Sequence, residues 1–133
     1  QTKMTIQCEK NLCARIDPAL LEQVVLNLSR NGLEAMVDVD ANDRRLNLHA
    51  YTHTSRNGSV WVRIDVEDVG HGVSEQDAQS VFESFFTTKA DGMGIGLSLC
   101  RSVAESYGGR IRWNNNPTGG ATFSLFLPKL LTA

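Results

Sequence analysis

The dipeptide Asn57-Gly58 constrains this chain more than any other pair of residues. It sits between two strand-like runs, 45–53 and 59–68, and Asn-Gly between such runs is a strong hairpin signal. In the second run Val60, Val62, Ile64 and Val66 alternate with Trp61, Arg63, Asp65 and Glu67. Successive side chains of a strand point to opposite faces, so this strand has one apolar face and one polar face. The same period places Asp68 on the apolar face, just before Gly70-His71-Gly72 breaks the pattern. A carboxylate on a buried face needs a donor partner.

The rest of the chain supplies partners for that hairpin. Residues 4–8 and 13–16 read as short strands. Asp17-Pro18 is a helix start, with Asp as N-cap and Pro at the first helical position, and the helix is expected to run to about Val37. Residues 38–44 form a polar loop, and Ser74 begins a short helix through about Phe82. A helix from about Ile95 to Tyr107 ends at Gly108-Gly109, a C-cap signal. Residues 110–114 and 121–127 close the chain as a strand pair. Helices and strands alternate without a strict βαβ rhythm. The expected fold is therefore α+β: a two-layer sandwich with a mixed, mostly antiparallel sheet and its helices on one face. With 133 residues and no repeat, residues 1–133 read as one domain.

Two further segments carry possible chemistry. On the first helix, at about 100° per residue, Leu21, Val24, Val25, Leu28, Gly32, Ala35 and Met36 fall on one stripe. Leu26, Leu33 and Val37 form a second stripe, roughly opposite, and Asn27, Asn31 and Glu34 lie between the two. The asparagines form either a polar seam on a surface helix or a neutral oxygen-ligand set for a hard cation such as Mg²⁺. The stretch TTKADGMGIGLSLC (87–100) packs Gly92, Gly94 and Gly96 at every second position and opens into a helix, with Lys89 just before. Free amides at a helix start favour an anion. The run is neither a Rossmann fingerprint nor a P-loop, and alone it reads equally as a flexible surface loop. Asp68 likewise either caps a turn of its own loop or accepts from a ligand such as a purine exocyclic amine. Taken together, a cation helix, a buried acid and a phosphate loop describe one ligand: a magnesium-bound purine nucleotide.

Composition excludes several other classes. The net charge of −2 gives no basic field for nucleic acid. No apolar run approaches the roughly 18 residues of a membrane span, so no direct membrane contact is expected. The opening residues carry no signal-peptide pattern and read like the interior of something longer. Three cysteines, Cys8, Cys13 and Cys100, argue against a disulfide framework and for a reducing cytoplasm. Cys8 and Cys13 lack a second ligand pair at zinc spacing, and His49 and His53 could share one face of a strand. Packing or exposure suits all of these cysteines and histidines better than a metal site.

On these motifs the chain resembles the catalytic ATP-binding domain of sensor histidine kinases, in the Bergerat-fold superfamily. NLSRNGLEAM (27–36) is similar to its N box, DVGHG (68–72) to its G1 box and FESFFTTK (82–89) to its F box. GMGIGL (92–97) is similar to its G2 box and GGATFSLFLP (119–128) to its closing strand. The resemblance implies ATP and Mg²⁺ as cofactors, with Asn31 on the metal. It implies Asn27 beside the phosphates and the attacking group, and Asp68 on the adenine amine. Gly70 and Gly72 would shape the pocket edge, and Phe82 and Phe85 would anchor the lid. Thr88 and Lys89 would approach the phosphates, and Gly92, Gly94, Gly96 and Leu97 belong to the phosphate loop. Thr122 would reach the adenine site from the last strand. The FFTTK run, Glu34-Ala35 and the short lid resemble kinases of the nitrogen-regulatory and oxygen-sensing type. Gly32 stands where alanine is usual, which would loosen the helix by up to ~1 kcal/mol. Ser84 stands where that subgroup often has proline, and His71 is an unusual residue that either touches phosphate or is exposed.

ATP-hydrolysing relatives on the same fold carry a glutamate base four residues before the magnesium asparagine, where this chain has Asn27. A carboxamide is a poor general base near neutral pH. The resemblance therefore implies phosphoryl transfer rather than rapid hydrolysis, with Asn27 and Lys89 as catalytic residues. The acceptor is expected on a histidine of a separate dimerisation domain, which passes the phosphoryl group to a response regulator. His49, His53 and His71 do not sit in an acceptor pattern. The isolated chain is expected to be a monomer. The alternatives are an ATP hydrolase and a nucleotide-binding regulatory module without catalysis.

Overall fold

In the computed structural model, which describes residues 2–78, 81 and 96–131, β2 (Arg45–Thr54) and β3 (Val60–Asp68) form the expected hairpin. Gly58 takes the positive φ of the turn, at 88°. Asn57 contributes through its side chain, whose Oδ1 accepts from the Ser59 amide at 2.9 Å. The register runs from Thr54 opposite Val60 to Leu46 opposite Asp68.

Three more strands and two helices complete the sheet and its cover. β1 (Lys3–Cys8) pairs parallel with β2, and β5 (Ala121–Pro128) pairs antiparallel with both β3 and β4 (Arg110–Asn115). The strand order is β1-β2-β3-β5-β4, a mixed and mostly antiparallel sheet. Helix α1 (Pro18–Ala35) packs on β2 and β3, α2 (Gly96–Ser106) packs on β4 and β5, and the two helices pack on each other. Both lie on the sheet face that presents Leu46, Val66, Phe123, Leu125 and Leu127, all buried. The expected α+β two-layer arrangement is the one observed.

Local chemistry sets the helix ends. Asp17 caps α1 by accepting from the Ala19 amide at 2.8 Å, with Pro18 opening the helix. α1 stops at Ala35, two residues before the expected end, and Arg44 takes up the carbonyls of Val37 and Val39 just beyond it. α2 ends in a Schellman pattern: Gly108 has φ 78°, and the Gly109 amide reaches back to the Ala104 carbonyl at 2.8 Å.

The first apolar stripe of α1 is in the core, where Val24, Leu28, Gly32 and Met36 are buried. The second stripe is not covered among the described residues, and Leu26, Leu33 and Val37 are exposed. Residues 13–16 do not form a strand; the segment contributes a single bridge, Ala14 to Lys129. The short helix expected from Ser74 is a turn over 74–78, held by the Asp77 amide on the Ser74 carbonyl, and its continuation lies outside the described residues. Gly32 also differs from its expected role. A Cβ at position 32 would lie 2.7 Å from Leu46 Cδ1, so this glycine admits a neighbour's methyl group as well as loosening a helix.

Candidate functional site

The last residue of β3 anchors the site. Asp68 is 2 % exposed on the helix face, as strand period two requires. Its Oδ1 accepts from the Gly70 amide at 2.9 Å and from the Ala121 amide at 3.2 Å. The acid therefore does cap its own loop, and it also ties that loop to the closing strand. Burial pushes its carboxyl above the usual carboxylate range, offset in part by the Gly70 and Ala121 amides and by nearby His71. The second oxygen, Oδ2, lies beside the bare backbone of Gly32, where a Cβ would sit 3.7 Å away.

The loop after Asp68 is pressed between two elements. A Cβ on Gly70 would come within 2.2 Å of the Ala35 carbonyl oxygen, so only glycine lets this loop lie on the end of α1. The His71 amide donates to the same carbonyl at 3.3 Å. On the other side, Asn115 clasps Val73 with two 2.8 Å bonds, one to its amide and one to its carbonyl. Asn116 Nδ2 donates to the Asp68 carbonyl at 3.4 Å. Gly72 has φ 74°, and a Cβ there would lie 2.8 Å from Asn115 Oδ1. The His71 ring is exposed and meets the Gly72 carbonyl.

The opposite end of the site lies where α2 begins beside α1. Among the described residues a Cβ on Gly96 would meet Asn27, at 3.9 Å, so the start of α2 lies against that carboxamide. The Cys100 thiol, one turn into α2, donates to the Val24 carbonyl of α1 at 3.7 Å, with Asn27 nearby. That thiol is buried, and burial pushes its pKa up to about 11. Asn31, one turn beyond Asn27, is half-buried on the same side of α1. Leu97 packs its side chain against the core, so only its backbone can serve an anion at this helix start.

Asn27, Asn31, Asp68, Gly70, Gly72 and Gly96 thus line the helix side of the sheet around α1. Thr122 does not join them. It pairs with Glu67 on the outer face, and its hydroxyl donates to Asn116 Oδ1 at 2.7 Å. The alternation that places Asp68 inward places Ala121 inward too, and the Ala121 amide is the closing-strand group that meets Asp68. Phe82, Ser84, Phe85, Thr88, Lys89, Gly92 and Gly94 lie outside the described residues. Sequence reasoning missed two participants. Cys100, read as ordinary packing, ties α2 to α1 through the Val24 carbonyl; its place one turn after Gly96 was the available signal. The Asn115-Asn116 clasp had no signal beyond its position in a turn.

This arrangement can do two things at once. One end offers an ionisable acceptor in a dry setting, and the other offers helix-start amides next to carboxamides, which suits an anion with a hard cation. No described helix is long and apolar enough to cross a membrane.

The chain is similar to known proteins. Over 112 residues the chain is 41 % identical to the sensor protein FixL of Bradyrhizobium diazoefficiens, covering 84 % of this chain and 21 % of that protein. It is 39 % identical over 112 residues to the C4-dicarboxylate transport sensor protein DctS of Rhodobacter capsulatus, covering 84 % of this chain and 16 % of that one. It thus spans about a fifth of the length of such relatives. The nucleotide-free catalytic domain of the histidine kinase ThkA superposes with a TM-score of 0.78 at 28 % identity, over 96 % of this chain and 79 % of that one. Residues 16–131 match the family described as histidine kinase-, DNA gyrase B- and HSP90-like ATPase. The chain therefore belongs to that ATP-binding family, and within it to the catalytic domains of sensor histidine kinases.

Proposed function

We propose that this chain transfers the γ-phosphoryl group of ATP to a histidine on a separate dimerisation domain of the same sensor kinase, which then serves a response regulator. The observation that carries this reading is Asn27. Its carboxamide lies 3.9 Å from where a Cβ on Gly96 would sit, so among the described residues the side chain at that helix start is a carboxamide and not a carboxylate. A carboxamide does not deprotonate water near neutral pH, so an outside nucleophile suits the site better than hydrolysis.

The residues fit the nucleotide end to end. Asp68 accepts from the adenine amine on the oxygen that its amide donors leave over. Gly70 and Gly72 bring backbone to the edge of the base. Gly96 and the Leu97 amide receive phosphate at the start of α2, with Thr88, Lys89, Gly92 and Gly94 assigned to the same phosphates. Asn31 would hold Mg²⁺, which when bound neutralises phosphate charge and polarises the transferring group. Asn27 positions the phosphates against the incoming nucleophile. The chain reads as a single domain, a monomer on its own, working in the cytoplasm.

The test is incubation of the chain with γ-labelled ATP and Mg²⁺, with and without a histidine-bearing dimerisation domain from the same kinase. Label is expected on the dimerisation domain, with slow phosphate release from the chain alone. Rapid release by the chain alone would assign hydrolysis, and ATP binding without transfer would assign a regulatory module.

A further inference from the structure

Among the described residues, the outer face of the sheet carries none of the nucleotide-site residues named above except Thr122, which turns away from that site. At one end of this face the β2–β3 turn and β4 bracket an open concavity of about 350 Å³. Its lining includes His53, Arg56, Trp61, Arg110, Arg112 and Phe126. Trp61 lies at the start of β3 and Asp68 at its end, so at ~3.3 Å per residue the two sites are roughly 23 Å apart along one strand.

The charge is uneven. A chain of net charge −2 places three arginines around this hollow, and among the described residues no carboxylate lines it. Among the described residues, none of Arg56, Arg110 and Arg112 is in an ion pair. Arg63, on the same face, differs: its Nε donates to Asp65 Oδ1 at 2.9 Å. The floor is firm and apolar. Phe126 is 8 % exposed, with Trp61 and His53 edge-on at 6.5 and 5.4 Å and the Arg63 guanidinium at 5.1 Å. Arg110 stacks over Trp61 at 5.2 Å.

We propose that this concavity docks an acidic peptide segment with an aromatic side chain flanked by carboxylates. The aromatic group would meet the Trp61–Phe126 floor, and the carboxylates would meet Arg56 on one rim and Arg110 and Arg112 on the other. Tryptophan and arginine are the residue types that dominate binding energy at protein contacts. The hollow is open and its arginines are exposed, so it suits a segment lying across strands better than an enclosed small molecule. Arginines on an edge strand also discourage sheet-to-sheet pairing. That role accounts for Arg110 and Arg112 on β4, but not for Arg56 on the turn or for the aromatic floor.

The probe is a synthetic peptide, acetyl-Glu-Glu-Phe-Glu-Glu-amide, titrated into the isotope-labelled chain and followed by amide shifts. Shifts are expected at Arg56, Trp61, Arg110, Arg112 and Phe126, and none at Asp68 or Asn27. Binding should weaken roughly tenfold or more in the Arg110→Glu/Arg112→Glu double variant. ATP affinity in that variant should match the unaltered chain, which also shows that it is folded. Equal binding of acetyl-Lys-Lys-Phe-Lys-Lys-amide, or of the acidic peptide with Ala in place of Phe, would overturn the proposal. So would unchanged affinity in the double variant, or displacement by free glutamate at the peptide's own concentration.

Discussion

Replacing Asp68 by asparagine should pull binding and stability in opposite directions. The carboxylate is 2 % exposed, and Oδ1 takes both the Gly70 and the Ala121 amide. Asparagine has the same shape and keeps an oxygen for those two donors, so the loop and β5 stay in place. The change falls on the second atom, where an NH₂ donor replaces an acceptor. A base amine arriving there would meet another donor. Loss of a charged acceptor costs on the order of 1.5–3 kcal/mol, roughly 10- to 150-fold in Kd. Stability should move the other way. Burial raises the Asp68 carboxyl above its unfolded value, so its contribution to stability is full below the unfolded pKa and is lost as pH rises through the folded one. At neutral pH the folded chain bears the cost of a buried charge, which asparagine lacks. The nucleotide-free Asp68→Asn variant should therefore melt at or above the unaltered chain at pH 7. The gap should close as pH falls below the carboxylate range. Calorimetric titration with ATP and thermal melts across pH measure both halves. Unaltered ATP affinity would refute the adenine role. A clearly lower melting temperature at pH 7 would refute the burial argument.

Three further substitutions or treatments separate the parts of the site. Gly119 and Gly120 both have positive φ, at 108° and 86°, but only at Gly120 would a Cβ collide, 2.1 Å from the Asp68 carbonyl oxygen. Gly120→Ala should thus lose more stability than Gly119→Ala, whose cost is backbone strain alone at ~1–3 kcal/mol, and only Gly120→Ala should also lose ATP; equal denaturation midpoints would contradict this. Asn31→Ala should flatten the Mg²⁺ dependence of ATP binding, read by titration with and without the metal, and an unchanged magnesium response would remove Asn31 as a ligand. In alkylation at pH 8, exposed Cys8 and Cys13 should react quickly, while Cys100, whose thiol is pushed up to about 11, should react only on unfolding. Prompt modification of Cys100 in the native chain would show that α1 and α2 do not pack as described.

The sequence made the hairpin and the inward Asp68 legible for one physical reason. Strand periodicity is a rigid rule, and five consecutive even-numbered positions from Val60 to Asp68 obey it. The same rule, applied to the closing strand, selects Ala121 over Thr122, because adjacent residues face opposite ways and Thr122 pairs with outward Glu67. Residue chemistry favoured the threonine, and geometry favoured the backbone amide beside it. Caps at Asp17 and Gly108 were legible because they depend on nearest neighbours. The bond from Cys100 to the Val24 carbonyl and the Asn115 clasp on Val73 were not, since each joins groups far apart in sequence. Residues 13–16 had strand-like character without a partner to pair beyond Lys129. Helix periodicity found the buried stripe of α1 correctly but could not say that the opposite stripe is uncovered.

The contact between Gly32 and Leu46 implies an exchange between two elements that are distant in the chain. With Leu46 Cδ1 in the space a Cβ would take, α1 and β2 share one methyl group's worth of volume, and Leu46 is its current owner. Alanine at position 32 should then require the Leu46 methyl to move, and trimming position 46 to valine should remove that requirement. The two positions should be inherited together. A helix residue that looks like a weakness in isolation is half of a complementary pair, and its effect on Asp68, which lies against both, depends on which half holds the methyl.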